Sequence, residues 1–249
     1  MSIELFLLLM AIGLATGTLI GAVGVGGVLL VPALVLLGGL DVHDATPVAT
    51  LSFLFTGIAG TVAYARRRRI HWPTTRWLLA FAIPGAVAGA STNVALSSTS
   101  VTVVIAVTLT AAAVRALRET SDTDPKASTL GLPTLAVIGS VVGFGSTLSG
   151  TGGPVLLIPV MLLGGAGVKL AVSSSQPIQV PIAIFGAASF LAYGSLDWQL
   201  ALSLGTVQGL GTVVGARISD RLPVQMLLRL VTGALVASAV VFAVKVITG

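Results

Sequence analysis

The sequence predicts an all-α polytopic membrane protein of two pseudosymmetric halves, with broken or re-entrant helices and about eight to ten hydrophobic segments. Three observations predict it. Hydrophobic residues make up 55% of the chain and charged residues only 8%, with a mean hydropathy of +1.06, whereas soluble domains carry about 25% charged residues. Charge-free intervals run over 5–40, 45–65, 77–114, 127–168, 170–196 and 198–216, and a helical span needs about 20 apolar residues. Finally, one phrase occurs twice: Gly24-Val25-Gly26-Gly27-Val28-Leu29-Leu30-Val31-Pro32 returns as Gly150-Thr151-Gly152-Gly153-Pro154-Val155-Leu156-Leu157-Ile158-Pro159.

The first element is a helix over 3–23. Its start, Met1-Ser2-Ile3-Glu4, has an acid where a signal peptide would be positive, so it reads as a retained span. A break follows at Gly24 to Gly27, then a short helix over 28–37. Three spans are expected next, over 46–65, 74–95 and 101–117. The second half repeats the series over 135–148, 154–163, 173–193, 199–219 and 226–246. Short helices of about 10 residues reach only about 15 Å, half the hydrocarbon thickness, so they are expected to be re-entrant or broken elements.

An offset of 126 residues superposes the halves beyond the glycines: Ile70-His71-Trp72 falls on Leu196-Asp197-Trp198, Gly85 on Gly211 and Gly89 on Gly215. Pro32 and Pro159 differ by 127, so the first half lacks one residue after its break. This divides the chain into a membrane repeat over 1–118, a polar linker over 119–132 and a second repeat over 133–249. The linker is too short to separate independent domains.

Charge sets the orientation. The net charge of +5 and pI near 10.5 come from residues in loops and at helix ends, which argues for membrane anchoring and against nucleic acid. Arg66-Arg67-Arg68-Arg69 follows the third element of half one, while the matching turn Gly194-Ser195-Leu196-Asp197 has no base. Conversely, Arg217, Arg221 and Arg229 stand between the last two spans of half two, where half one has Ser91, Asn93 and Ser98. If basic loops face the cytoplasm, matching loops face opposite sides, the pattern of an inverted repeat. Trp72 and Trp198 read as interfacial anchors.

The glycine breaks are the expected site. Irregular backbone at membrane depth must be buried in protein or line a watery cavity. A broken helix there exposes N–H groups and a positive dipole end, which binds an anion without a buried cation. Gly24, Gly26, Gly27, Gly150, Gly152 and Gly153, with Thr151, would let backbone approach the ligand. Close helix packing is the plain alternative for any one of these glycines; the duplication favours a site. Thr50 and Ser52 in half one, and Ser174, Ser175, Gln176 and Gln179 in half two, are expected to bring hydroxyls and amides to two facing helix N-termini. Ordinary N-capping is the alternative for a single serine. His43 and Lys169, at equivalent positions, read as vestibule or loop residues.

Other chemistries are excluded by what is missing. The chain has no cysteine and two histidines, which rules out a thiolate site and leaves no metal cluster or cofactor to expect. No cluster supplies an acid, base or nucleophile, so an enzyme is not expected. No Asp or Glu stands inside a predicted span, which argues against proton coupling through a buried acid. The expected partners are a small anionic substrate, the lipid bilayer and, from apolar surface alone, a second copy in a homodimer.

These motifs resemble the sulfite exporter TauE/SafE family across nearly the whole chain. The family pattern is a Gly-x-Gly-Gly-Gly break, a short helix ending in Pro, an Ala-Val-x-Thr-Ser-like helix start, a basic or Asp-Trp turn and a Gly-x-x-x-Gly-Ala-Arg stretch, in duplicate. The second half keeps it at Gly150 to Pro159, Ala171 to Ser175, Asp197-Trp198 and Gly211 to Arg217. The first half departs: Val28 replaces the third glycine, Pro47 interrupts the helix start and Ser91 stands where Arg217 does. The resemblance implies a secondary transporter of the bacterial inner membrane that exports sulfite or organosulfonates such as sulfoacetate. A passive anion channel and a non-transport scaffold subunit are the alternatives.

Overall fold

The computed structural model describes residues 3–24, 26–101, 130–194 and 196–219, and isolated positions at 103, 104, 107, 110, 233, 236 and 240. Apart from those positions and residue 101, the expected spans over 101–117 and 226–246 lie outside the described residues, as do most of the linker, Arg221 and Arg229. The side chain of Lys169 is likewise outside them. Among the described residues the fold is all helical, without a strand.

Helix α1, Ile3–Val23, starts with Glu4 at its positive dipole end and stops at Gly24, whose φ of +79° suits glycine alone. A 3-10 turn, Gly27–Leu29, leads into α2, Leu30–Leu36. Helix α3, Val42–Arg66, is N-capped by Asp41, whose side chain accepts from His43 N–H at 2.9 Å. Helix α4 spans Trp72–Ala95. In the second half, α5 is Leu132–Ser149, α6 is Pro154–Leu163, α7 is Val168–Ala192 and α8 is Trp198–Ser219. Asp197 caps α8 by accepting from Gln199 and Leu200 N–H at 3.1 and 3.0 Å.

Five of these helices, α1, α3, α4, α5 and α7, are long and apolar enough to cross a membrane. Helix α8 has a similar length but carries Gln199, Gln208 and Arg217. Much of the outer surface is apolar, with Leu7, Val137, Leu191 and Leu210 exposed, as a lipid-facing surface requires. Inside, glycines let the helices approach one another closely.

Backbones meet directly along two seams. Helix α1 packs along α8, and α5 along α4. On the first seam, Gly13, Gly17 and Gly21 lie against Leu204, Gln208 and Thr212; on the second, Gly85 and Gly89 lie against Ser140 and Phe144. A methyl at Gly17 would fall on the Gln208 carbonyl, and one at Gly143 on that of Ala82. Residue numbers rise together across each seam, so both pairs are parallel. Between the seams, α3 crosses α7 in the opposite sense: Gly57 touches Gln179, Gly60 touches Gln176 and Gly186 touches Thr50. Exchanging the halves leaves these packing partners unchanged.

The helix starts correct one expectation. Spans expected to begin at 46 and 173 begin at Val42 and Val168, because Pro47, Pro177 and Pro181 sit inside their helices and do not open them. Neighbouring helices can satisfy the backbone groups that an interior proline frees. Thr50, Ser52, Ser174, Ser175, Gln176 and Gln179 are therefore in helix interiors, not at N-termini, and His43 is inside the first turn of α3.

Candidate functional site: two glycine breaks around Phe53

Both breaks use left-handed backbone. Gly24 has φ of +79°, and Gly150, Gly152 and Gly153 have φ of +62°, +80° and +92°. At the second break Thr151 N–H reaches back to Ser146 O at 3.2 Å, closing α5 with the six-to-one bond of a Schellman stop. The chain then enters α6 through Pro154, which has no N–H to leave unpaired in a first helical turn.

The two breaks converge on one ring. A methyl at Gly27 would fall 2.7 Å from Phe53 Cζ and 2.9 Å from the Thr151 carbonyl oxygen, while one at Gly152 would fall 2.7 Å from Phe53 Cδ2. Phe53 is 1% exposed. Farther out, Gly24 faces Ser175 and Gln176 on α7, and Gly150 faces Val31 on α2 and Thr46 on α3. Each short helix thus runs past the other's break.

The structure buries every predicted site residue: Gly24, Gly26, Gly27, Thr50, Ser52, Gly150, Thr151, Gly152, Gly153, Ser174, Ser175, Gln176 and Gln179. It does not aim all of them at one ligand. Thr50 Oγ1 donates to Thr46 O at 2.8 Å and Ser52 Oγ to Ala49 O at 2.8 Å, within their own helix. Ser174 pairs with Thr75 of α4 at 3.0 Å. Thr151 Oγ1 lies 2.9 Å from Ser149 Oγ, which itself donates to Gly145 O.

The two glutamines join three helices. Thr56 Oγ1 donates to Gln179 Oε1 at 2.8 Å, Gln179 Nε2 to Gln176 Oε1 at 3.3 Å, and Gln176 Nε2 to Ile20 O at 3.2 Å. This chain of bonds runs from α3 through α7 to the last turn of α1, just before the first break. At the second break Asn93 Nδ2 donates to Leu148 O at 2.7 Å, and Asn93 Oδ1 lies 3.3 Å from His43 Nδ1. Buried amides thus tie both breaks to neighbouring helices.

Two buried hydroxyls near the second break have no hydrogen-bond partner, Thr46 Oγ1 and Ser146 Oγ. Ser146 Oγ lies 3.9 Å from where a methyl on Gly153 would sit. All buried polar side chains among the described residues are Thr, Ser, Asn or Gln. No group of three His, Asp or Glu capable of holding a metal occurs among them. These described side chains can offer neutral dipoles to a solute.

Sequence reasoning missed Phe53, Thr56 and Gln208 as interior partners. Thr56 stands one helical turn after Ser52 on a helix already singled out, a usable signal. Gln208, fully buried, donates to Thr16 Oγ1 at 3.1 Å, on the face of its helix where Gly211 and Gly215 pack against α1. Nothing in the local sequence distinguishes Phe53.

Residues 9–242 match the family described as Sulfite exporter TauE/SafE. The chain belongs to that family. Two relatives from Bacillus subtilis (strain 168) align with this TauE/SafE chain over most of both sequences. The probable membrane transporter protein YunE is 26% identical over 257 residues, 91% of this chain and 94% of the relative. The probable membrane transporter protein YdhB is 26% identical over 216 residues, 83% of this chain and 87% of the relative. No solved structure matches the chain. With its apolar helices, this TauE/SafE protein is a multi-pass membrane transporter.

Proposed function

We propose that this transporter exports a small oxyanion, sulfite or an organosulfonate, by alternating access, with the glycine breaks as its substrate site. The observation that carries the proposal is the meeting of both breaks on Phe53 inside a neutral polar interior. Family membership supports the substrate class, since the family's own description is of a sulfite exporter. The opposite sense of α3 and α7, equivalent helices at the 126-residue offset, supports an inverted relation between halves. Such a relation gives two mirror-like conformations of similar energy, the basis of rocking about a fixed site. Complete burial of the candidate residues favours a carrier over a standing pore.

The test is flux of radiolabelled sulfite, sulfoacetate and a sulfur-free carboxylate in proteoliposomes under an imposed potential. Saturable flux with counterflow for a sulfur oxyanion is expected, and Gly152→Leu should abolish it while protein remains in the membrane. Unsaturable flux would indicate a channel. Retained transport by Gly152→Leu at the normal rate would remove the second break from the site.

A further inference from the structure

We propose that the basic turn between α3 and α4, together with the end of α8, is a docking site for the headgroup of an anionic phospholipid. Helix α3 closes in a Schellman stop: Arg69 N–H returns to Tyr64 O at 3.1 Å and Arg68 N–H to Ala65 O at 2.9 Å. That stop holds residue 68 in the left-handed region, with φ of +53°, and among the described residues it is the one position of positive φ that is not glycine. The equivalent residue of half two, 126 positions on, is Gly194, with φ of +74°. An arginine therefore stands where glycine would be more stable. Backbone strain kept at one position points to a use for its side chain.

The fold brings a further base from the other half to this turn. Arg67 Nη1 donates to Ala216 O at 2.6 Å, and Tyr64, Ile70 and Ala216 form one small buried cluster. The turn is thus seated on the last turn of α8, beside Arg217. Arg67 is partly buried in this contact, whereas Arg66, Arg68 and Arg217 are exposed. A guanidinium is always charged and matches two phosphate oxygens at once. Arginines of both halves gathered at one end make a phosphate-binding surface.

Apolar neighbours decide between a lipid and a soluble phosphate. Val62, one helical turn before Arg66, Trp72 and Trp77 near the start of α4, and Ile218, next to Arg217, are all exposed. Arg76 stands over the Trp77 ring, 5.5 Å from its centroid. Arginines bordering such a belt lie at the depth where tryptophans anchor in the headgroup layer. A phospholipid uses both features, its phosphate on the guanidinium groups and its chains along the apolar side. A soluble phosphate would use only the first.

The chain's three tryptophans supply the probe. Trp72 and Trp77 adjoin the turn, whereas Trp198 opens α8 and stands about 27 Å along that helix from Ala216, at 1.5 Å per residue. Quenching by brominated lipid therefore reads the arginine end in Trp198→Phe and the far end in the Trp72→Phe/Trp77→Phe double variant. The full chain is reconstituted in mixed vesicles of phosphatidylcholine and phosphatidylglycerol, with one or the other lipid brominated at the same mole fraction. A preference for phosphatidylglycerol is expected at the arginine end and not at the far end, falling about fivefold in each of Arg66→Gln and Arg217→Gln. Arg68→Gly is the decisive variant, because it should lower the preference by the same factor while resisting unfolding at least as well as the wild type. Loss of binding there cannot be loss of fold. Equal quenching by the two lipids at the arginine end, equal preference at both ends, or an unchanged preference in Arg68→Gly would overturn the proposal. Loss of the preference in excess inorganic phosphate would also overturn it, by assigning the arginines to a soluble anion.

Discussion

Replacing Gly152 by alanine should destabilise the protein through two separable effects, only one of which depends on Phe53. At φ of +80° any L side chain meets its own carbonyl, at about 1–2 kcal/mol. The new methyl would also stand 2.7 Å from Phe53 Cδ2, whereas carbon atoms rest at about 3.5–4.0 Å. Overpacking of that kind costs about 1–3 kcal/mol. The total for Gly152→Ala is then about 2–5 kcal/mol.

Phe53→Ala removes the ring and with it the second effect. By itself it should cost about 3–5 kcal/mol as a buried cavity, but the double variant should be more stable than the sum of the singles by about 1–3 kcal/mol. Gly194→Ala is the control for backbone alone, because Gly194 has φ of +74° and nothing within 4 Å of the new methyl; about 1–2 kcal/mol is expected. Equilibrium unfolding in detergent measures all four proteins. Additivity within about 0.5 kcal/mol would refute the packing of the second break on Phe53.

Other consequences are open to direct measurement. Arg68→Gly should stabilise the protein by about 1 kcal/mol in the same unfolding assay, because Arg68 adopts φ of +53° where the equivalent residue, Gly194, is a glycine. Arg67→Ala should destabilise by about 1–3 kcal/mol, since Arg67 Nη1 donates to Ala216 O at 2.6 Å in the last turn of α8; Arg67→Lys should recover only part. The chain has no cysteine, so Arg68→Cys and Tyr193→Cys can be labelled singly by an impermeant maleimide. Labelling from opposite faces is expected of inverted halves, and labelling from one face would reject them.

The duplicated glycines were legible because left-handed backbone at a membrane break is chemically restrictive: Gly24, Gly150, Gly152 and Gly153 all have positive φ. Helix α6 begins and ends where the sequence places it, since Pro154 marks a first turn. The starts of α3 and α7 were hidden by Pro47 and Pro177, which mark helix starts in water but are tolerated inside membrane helices. Asp41, a good N-cap six residues before Pro47, was the better signal. Side-chain partners were harder to read. Thr56 meets Gln179 across 123 residues, a contact fixed by how α3 and α7 rotate on Gly57 and Gly60. No local pattern encodes that rotation.

The neutrality of the interior bears on what drives the proposed cycle. Among the described residues the buried polar side chains are Thr, Ser, Asn and Gln; a site built from these alone has no charge when empty and takes the charge of its cargo when loaded. The membrane potential then acts on the loaded passage and leaves the empty return unopposed. For one negative charge leaving an inside-negative cell the gain is about 2.3 kcal/mol per 100 mV, close to a fiftyfold gradient. A buried lysine or arginine would have strengthened anion binding, but it would also have made the loaded site neutral and moved the electrical work to the return of the empty, positive site. On this reading, weak neutral donors and potential-driven export belong to one design.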